Sequence, residues 1–255
     1  MIDALYIAST GLRSQQEQID VISNNVANMQ TPGFKRGRVN FAEIATAPLA
    51  GEVINGLMQG HGGGARVLST TQEFASGALQ PTRSPLDLAI DGNGFFELED
   101  ASGARFYTRS GQFHLDEEGY VVSPGGLRLT AGIQIPPGAA DVRVSANGEF
   151  SAELDGSKER TVLGNLSVVT FASTEGLAAN GENLFVATAR SGDPATAIPA
   201  QEGAGRIQQG YLEMANVDMI DEMTGLVLAQ RAYQLNARVL QASDQVLETI
   251  NNLRR

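Results

Sequence analysis

The sequence predicts an α+β fold in which long N- and C-terminal helices form a coiled-coil inner domain beside a central, mainly antiparallel β domain. Three observations predict it. Apolar residues recur in heptads at both ends of the 255-residue chain, turn dipeptides punctuate β-favouring runs through its middle, and the charge is uneven. The formal net charge is −11, yet residues 1–70 balance to 0 and residues 206–255 to −1, so −10 belongs to the centre. One sign of charge favours a solvated domain, whereas nearly neutral ends are free to pack against each other or against copies.

The first element runs from Ile2 to Met29. Leu5, Leu12, Ile19 and Val26 form one heptad row, and Ala8, Gln15, Ile22 and Met29 form another three residues on, a stripe that shares one face only in a helix. Pro32 stops it, Thr31 is pushed towards an extended conformation, and Gly33 turns the chain. Asn24, Asn25 and Asn28, near the helix end, have side chains suited to backbone or neighbour hydrogen bonds. The basic run Lys35-Arg36-Gly37-Arg38 that follows reads as a solvated loop, because no aromatic stacking platform accompanies it. Residues 41–69, with Gly60 and Gly62-Gly63-Gly64, read as a connector, either extended or folded back as a hairpin.

The centre, residues 70–186, carries short β runs that end at turns. Leu86 to Ile90 precedes Asp91-Gly92-Asn93-Gly94, Gly94 to Leu98 precedes Ala101-Ser102-Gly103, and Gln112 to Leu115 precedes Asp116-Glu117-Glu118-Gly119. Tyr120 to Val122 follows, then Val142 to Val144 and Glu149 to Leu154 flank Asn147-Gly148, a hairpin signal because both residues accept positive φ. Asp155-Gly156 then turns into one run from Thr161 to Phe171. Turns at this spacing point to a small sandwich or barrel. Residues 187–205 form the return connector.

The last helix shows Met219, Leu226, Tyr233, Leu240 and Leu247 every seven residues, and Asn216 or Asp218 supplies its N-cap. A further row, Glu222, Ala229, Asn236, Ser243 and Ile250, is small or polar in its middle, and polar groups in a helical seam fix register. Residues 1–40 and 206–255 are therefore expected to make one discontinuous assembly domain whose stripes need partners.

Chemistry is sparse. His61 falls in the glycine connector and His114 in a strand, each without a recognisable catalytic partner, and Gly92-x-Gly94 lacks the third glycine of a dinucleotide fingerprint. The acidic clusters Asp116-Glu117-Glu118 and Glu97, Glu99, Asp100 lack the alternating ligand spacing of a calcium loop. A pI near 4.6 opposes phosphate-neutralising nucleic-acid binding. There is no cysteine for a disulfide or thiolate site, and no Trp for the aromatic platform of a secreted carbohydrate-binding module. No stretch of Met1 to Asn25 is apolar enough for a signal peptide. The expectation is a non-enzyme with no cofactor, no metal, no nucleic acid and no small-molecule substrate.

Two terminal segments are more specific. Ser23-Asn24-Asn25-Val26-Ala27-Asn28 with Thr31-Pro32-Gly33-Phe34-Lys35-Arg36, and Gly210-Tyr211-Leu212-Glu213 with Asn216-Val217, Gln230-Arg231-Ala232-Tyr233 and Asp244-Gln245-Val246-Leu247, resemble the terminal signatures of the bacterial flagellar rod and hook proteins. Among these the central motifs Gly92-Asn93-Gly94-Phe95-Phe96, Tyr107-Thr108-Arg109-Ser110-Gly111 and Gly181-Glu182-Asn183-Leu184-Phe185 are most similar to the distal rod members. The resemblance implies a homo-oligomeric helical tube with proximal rod proteins and hook protein as neighbours, and periplasmic and outer-membrane rings around it. It also implies passage through the type III export apparatus without a cleaved signal, a place in the basal-body rod spanning the periplasm, and a stiffening role for Phe41 to Val67.

Overall fold

The computed structural model describes residues 2–45, 53–54, 57–58, 62–154, 160–201 and 203–253, so His61, Gly60 and the Asp155-Gly156 turn lie outside the described residues. The architecture is α+β, with a helix at each end and an antiparallel β region between them. The chain packs as two units. One comprises Met1–Ala27, Gly37–Gln72 and Asp218–Arg255; the other comprises Asn28–Arg36 and Glu73–Val217. These boundaries differ from those drawn on the sequence: residues 28–36 and 206–217 pack with the β region, and residues 37–72 pack with the helices.

In the first unit, helix α1 (Ile2–Ala27) is about 40 Å long and helix α2 (Met219–Leu253) about 50 Å. Of the two candidate caps Asp218 takes the role, its Oδ1 accepting from the Ile220 N–H at 2.8 Å and the Asp221 N–H at 3.2 Å. Strands Gly37–Ala45 and Gly62–Gln72 pair antiparallel from Gly37↔Gln72 inwards, so the described part of the expected connector is a hairpin. A lone two-stranded ribbon is marginal in water, and α1 supports this one. Ser14 Oγ donates to the Ala65 carbonyl at 3.3 Å, and Val21 lies against Gly37.

In the second unit a seven-stranded antiparallel sheet runs, in spatial order, through residues 178–179, 184–186, 105–108, 96–99, 128–129, 121–122 and 114–115. Strands 139–144, 149–154 and 160–165 make a second sheet, joined at the Asn147-Gly148 hairpin where Gly148 has φ +87°. The run expected from Thr161 to Phe171 is two strands, Arg160–Asn165 and Val168–Thr170. Between them Leu166 is buried and its N–H bonds to the Gly148 carbonyl at 2.7 Å, which breaks the extended path. Chain-distant pairs close the unit: Leu88–Asp91 with Arg206–Gln209, and Leu79–Pro81 with Tyr211–Glu213.

Two cores result because neighbouring side chains of a strand point to opposite faces. Phe96 packs with Leu98, Ile90, Ile133 and Phe150, while Phe95 packs with Tyr107, Val169 and Phe185. The second cluster is a set of edge-to-face rings, Phe74 with Phe185 at 5.1 Å and Tyr107 with Phe171 at 4.9 Å.

Candidate assembly surface and buried anchor

Within the first unit the two helices run antiparallel. A Cβ on Gly11 would lie 2.9 Å from the Asn236 amide nitrogen, one on Gly225 would lie 3.4 Å from Ile22 Cδ1, and Asn25 Nδ2 donates to Glu222 Oε2 at 3.2 Å. Each step along α1 is matched by an equal step back along α2, so one register holds over the seam. The buried residues of the two helices are Ala8, Ser14, Ile22 and Asn25 on α1, and Glu222 and Ala229 on α2, and of these Ile22, Asn25 and Glu222 make the cross-helix contacts just described. Apart from Ile22, the residues meeting there, Gly11, Asn25, Glu222, Gly225 and Asn236, are small or polar. Asn25 also pairs reciprocally with the Gly37 backbone, donating to its carbonyl at 2.9 Å and accepting from its N–H at 2.8 Å.

The apolar rows read from the sequence are unevenly covered, and of the second α1 row Ala8 and Ile22 are buried. Leu5, Leu12, Ile19 and Val26 are half-buried; so are Leu226 and Leu240, whereas Met219, Tyr233 and Leu247 are 45%, 38% and 37% exposed. More than half of the exposed large apolar side chains among the described residues are on α2, including Ile220, Leu228 and Leu235. Single exposed apolar residues need no explanation, but so many on one helix make α2 a candidate interaction surface. Asn24 is exposed, and Asn28 accepts through Oδ1 from the Thr31 hydroxyl at 3.3 Å.

The second unit carries the Thr31-Pro32-Gly33-Phe34-Lys35-Arg36 segment. Phe34 is buried, and Gly33, at φ +73°, donates to the Glu213 carbonyl at 2.7 Å. Asn183 Nδ2 donates to the Pro32 carbonyl at 3.2 Å. Lys35 corrects the solvated-loop reading: its side chain and that of Glu213 are both 0% exposed, with Nζ 2.6 Å from Oε1. Arg109 reaches the other carboxylate oxygen at 3.2 Å and is 3% exposed. Burial pulls the Lys35 ammonium below its ordinary value, against the opposing pull of Glu213. Backbone groups complete the cluster: Lys35 donates to the Ala75 carbonyl at 2.8 Å, Arg109 to those of Ile90 and Gly92, and the Gly77 N–H donates to Glu213.

Beside the cluster, Asn216 joins two chain segments. Its Oδ1 accepts from the Arg36 N–H at 2.8 Å and its Nδ2 donates to the Glu73 carbonyl at 2.7 Å, while the Glu73 N–H donates to the Arg36 carbonyl at 2.9 Å. The sequence offered Asn216 as a helix cap and offered no sign of Glu213 or Arg109 as buried groups; only their presence in the matched terminal and central motifs marked them.

Among the described residues no group of three or more His, Asp or Glu is placed to hold a metal ion, and no helix is long and apolar enough to cross a membrane. Residues 5–35 match a family model described as flagella basal body rod protein, residues 89–152 one described as flagellar hook protein FlgE/F/G D1 domain, and residues 208–253 one described as flagellar basal body rod FlgEFG protein C-terminal. The flagellar basal-body rod protein FlgG of Caulobacter vibrioides is 37% identical over 99% of this chain and 100% of its own length. Those of Borreliella burgdorferi and Bacillus subtilis are each 36% identical over 100% of both chains.

Proposed function

Since the chain belongs to the FlgG family of flagellar basal-body rod proteins, and so is a structural subunit of that rod, we propose that it self-assembles helically into the distal rod, the drive shaft that carries torque from motor to hook. The observation that carries the reading is the division of labour on the helices. The seam inside one chain is built mostly from small and polar residues and leaves other α2 side chains such as Ile220, Leu228 and Leu235 exposed, to be covered by other copies. Hydrophobic area without a core of its own is buried only on assembly, and head-to-tail contacts that do not close into a ring build a filament.

In this reading helices α1 and α2 of neighbouring subunits form a coiled-coil tube. Proximal rod proteins and hook protein are its axial neighbours, the rings surround it, and the chain arrives in the periplasm through the type III apparatus without a cleaved signal. The subunit acts through contacts and performs no catalysis.

Leu228 is 61% exposed, so Leu228→Asp spares the fold of the single chain. The expected outcome is native circular dichroism, no rods in electron micrographs and loss of motility. Normal rods and swimming from this variant, or from a chain lacking residues 230–255, would refute helical assembly through α2.

A further inference from the structure

We propose that Lys35, Arg109 and Glu213 form a closing lock that makes the folding of the β-rich unit wait for the arrival of the C-terminal segment. The cluster holds two cations and one carboxylate. Lys35 and Glu213 are fully buried, Arg109 is 3% exposed, and its guanidinium is 5.4 Å from the Phe95 ring centroid, against the aromatic core. The three residues come from three parts of the chain, with 178 positions between Lys35 and Glu213 and 104 between Arg109 and Glu213.

A chain that emerges N-terminus first, from the ribosome or from an export channel, presents both cations long before the carboxylate. Closing the unit at that stage would bury two uncompensated charges, because the Ala75, Ile90 and Gly92 carbonyls supply hydrogen bonds but no counter-charge. Glu213 meets both cations at once and also receives the Gly77 N–H at 2.9 Å. Its backbone fixes the turn as well, since its carbonyl accepts the Gly33 N–H at 2.7 Å. The last of these three segments to appear therefore carries the only carboxylate among the described residues that neutralises the two buried cations, and the N-terminal signature, the central motif and the C-terminal signature close together. The lock concerns the β-rich unit alone and does not depend on rod assembly.

Pulse-labelled hydrogen exchange during refolding of the full-length chain tests the order. Strands Phe96–Glu99 and Arg105–Thr108 pair with each other and with 128–129 and 184–186, not with 206–213. They are expected to gain protection in the same phase as Ile207 to Glu213; protection in an earlier phase overturns the lock. A charge cycle tests its cause. Glu213→Gln lowers the urea midpoint of exchange in residues 96–108. Lys35→Met lowers it in the native background but raises it in the Glu213→Gln background, because there it removes an unpaired cation. A further fall on adding Lys35→Met shows that charge compensation is not the cause and overturns the proposal; where neither Glu213→Gln chain folds, the order of protection in the native chain decides.

Discussion

Asp100 shows how a single turn residue acts. One carboxylate oxygen accepts from the Ser102 hydroxyl at 2.6 Å, the Ser102 N–H at 2.8 Å and the Ala104 N–H at 2.9 Å. The Ser102 hydroxyl and then the Ala104 N–H hold the carboxyl below its ordinary value of 3.8. A depressed value in the folded state means that the charged form stabilises the fold; this contribution is present above the ordinary value and is lost as pH falls below it, through the folded value. Asp100→Asn should therefore lower stability at neutral pH and flatten the loss below pH 3.8, as read by urea melts across pH; an unchanged acid limb contradicts this. The turn itself was legible, because Ala101-Ser102-Gly103 acts locally. The burial of Lys35 was not, since nothing within the basic run reports a carboxylate 178 positions away.

At the scale of elements, the helices were legible from their period, and their pairing was not. Heptad rows name faces, but which face meets the partner depends on how closely two backbones can approach. The row with Glu222, Ala229 and Asn236 wins the intrachain seam because Gly11 and Gly225 leave room opposite Asn236 and Ile22. Gly11→Leu drives a side chain into the Asn236 amide; it should destabilise the helical unit by about 1–3 kcal/mol, an overpacking cost. Differential exchange in α1 and α2 reads this, and residues 96–108 should be unaffected. Stabilisation instead, as helix propensity alone favours, would mean that the seam is looser than its contacts show. The glycine-rich stretch 41–69 had two readings, extended or hairpin, and over its described part strands Gly37–Ala45 and Gly62–Gln72 pair with support from α1.

For the whole molecule, the charge distribution and the exposed rows act together. The acidic centre opposes close self-packing, whereas the ends are nearly neutral and α2 carries apolar side chains such as Ile220 at 76% and Leu235 at 61% exposure. Assembly driven by apolar burial weakens on cooling, so the sedimentable fraction of purified subunit should rise as it is warmed from about 5 to about 25 °C. A falling fraction would point to polar contacts as the main source of assembly energy.

The sequence by itself determined the α+β class, the terminal helices, most β turns and the membership of a rod family, because period, turn chemistry and motif identity are local properties of the chain. The tertiary structure decided which helix row becomes the seam, where the two units divide, and that Lys35, Arg109 and Glu213 share one buried cluster. Those outcomes depend on shape and charge brought together across long separations, where burying a cation is tolerable only once its counter-ion is in place.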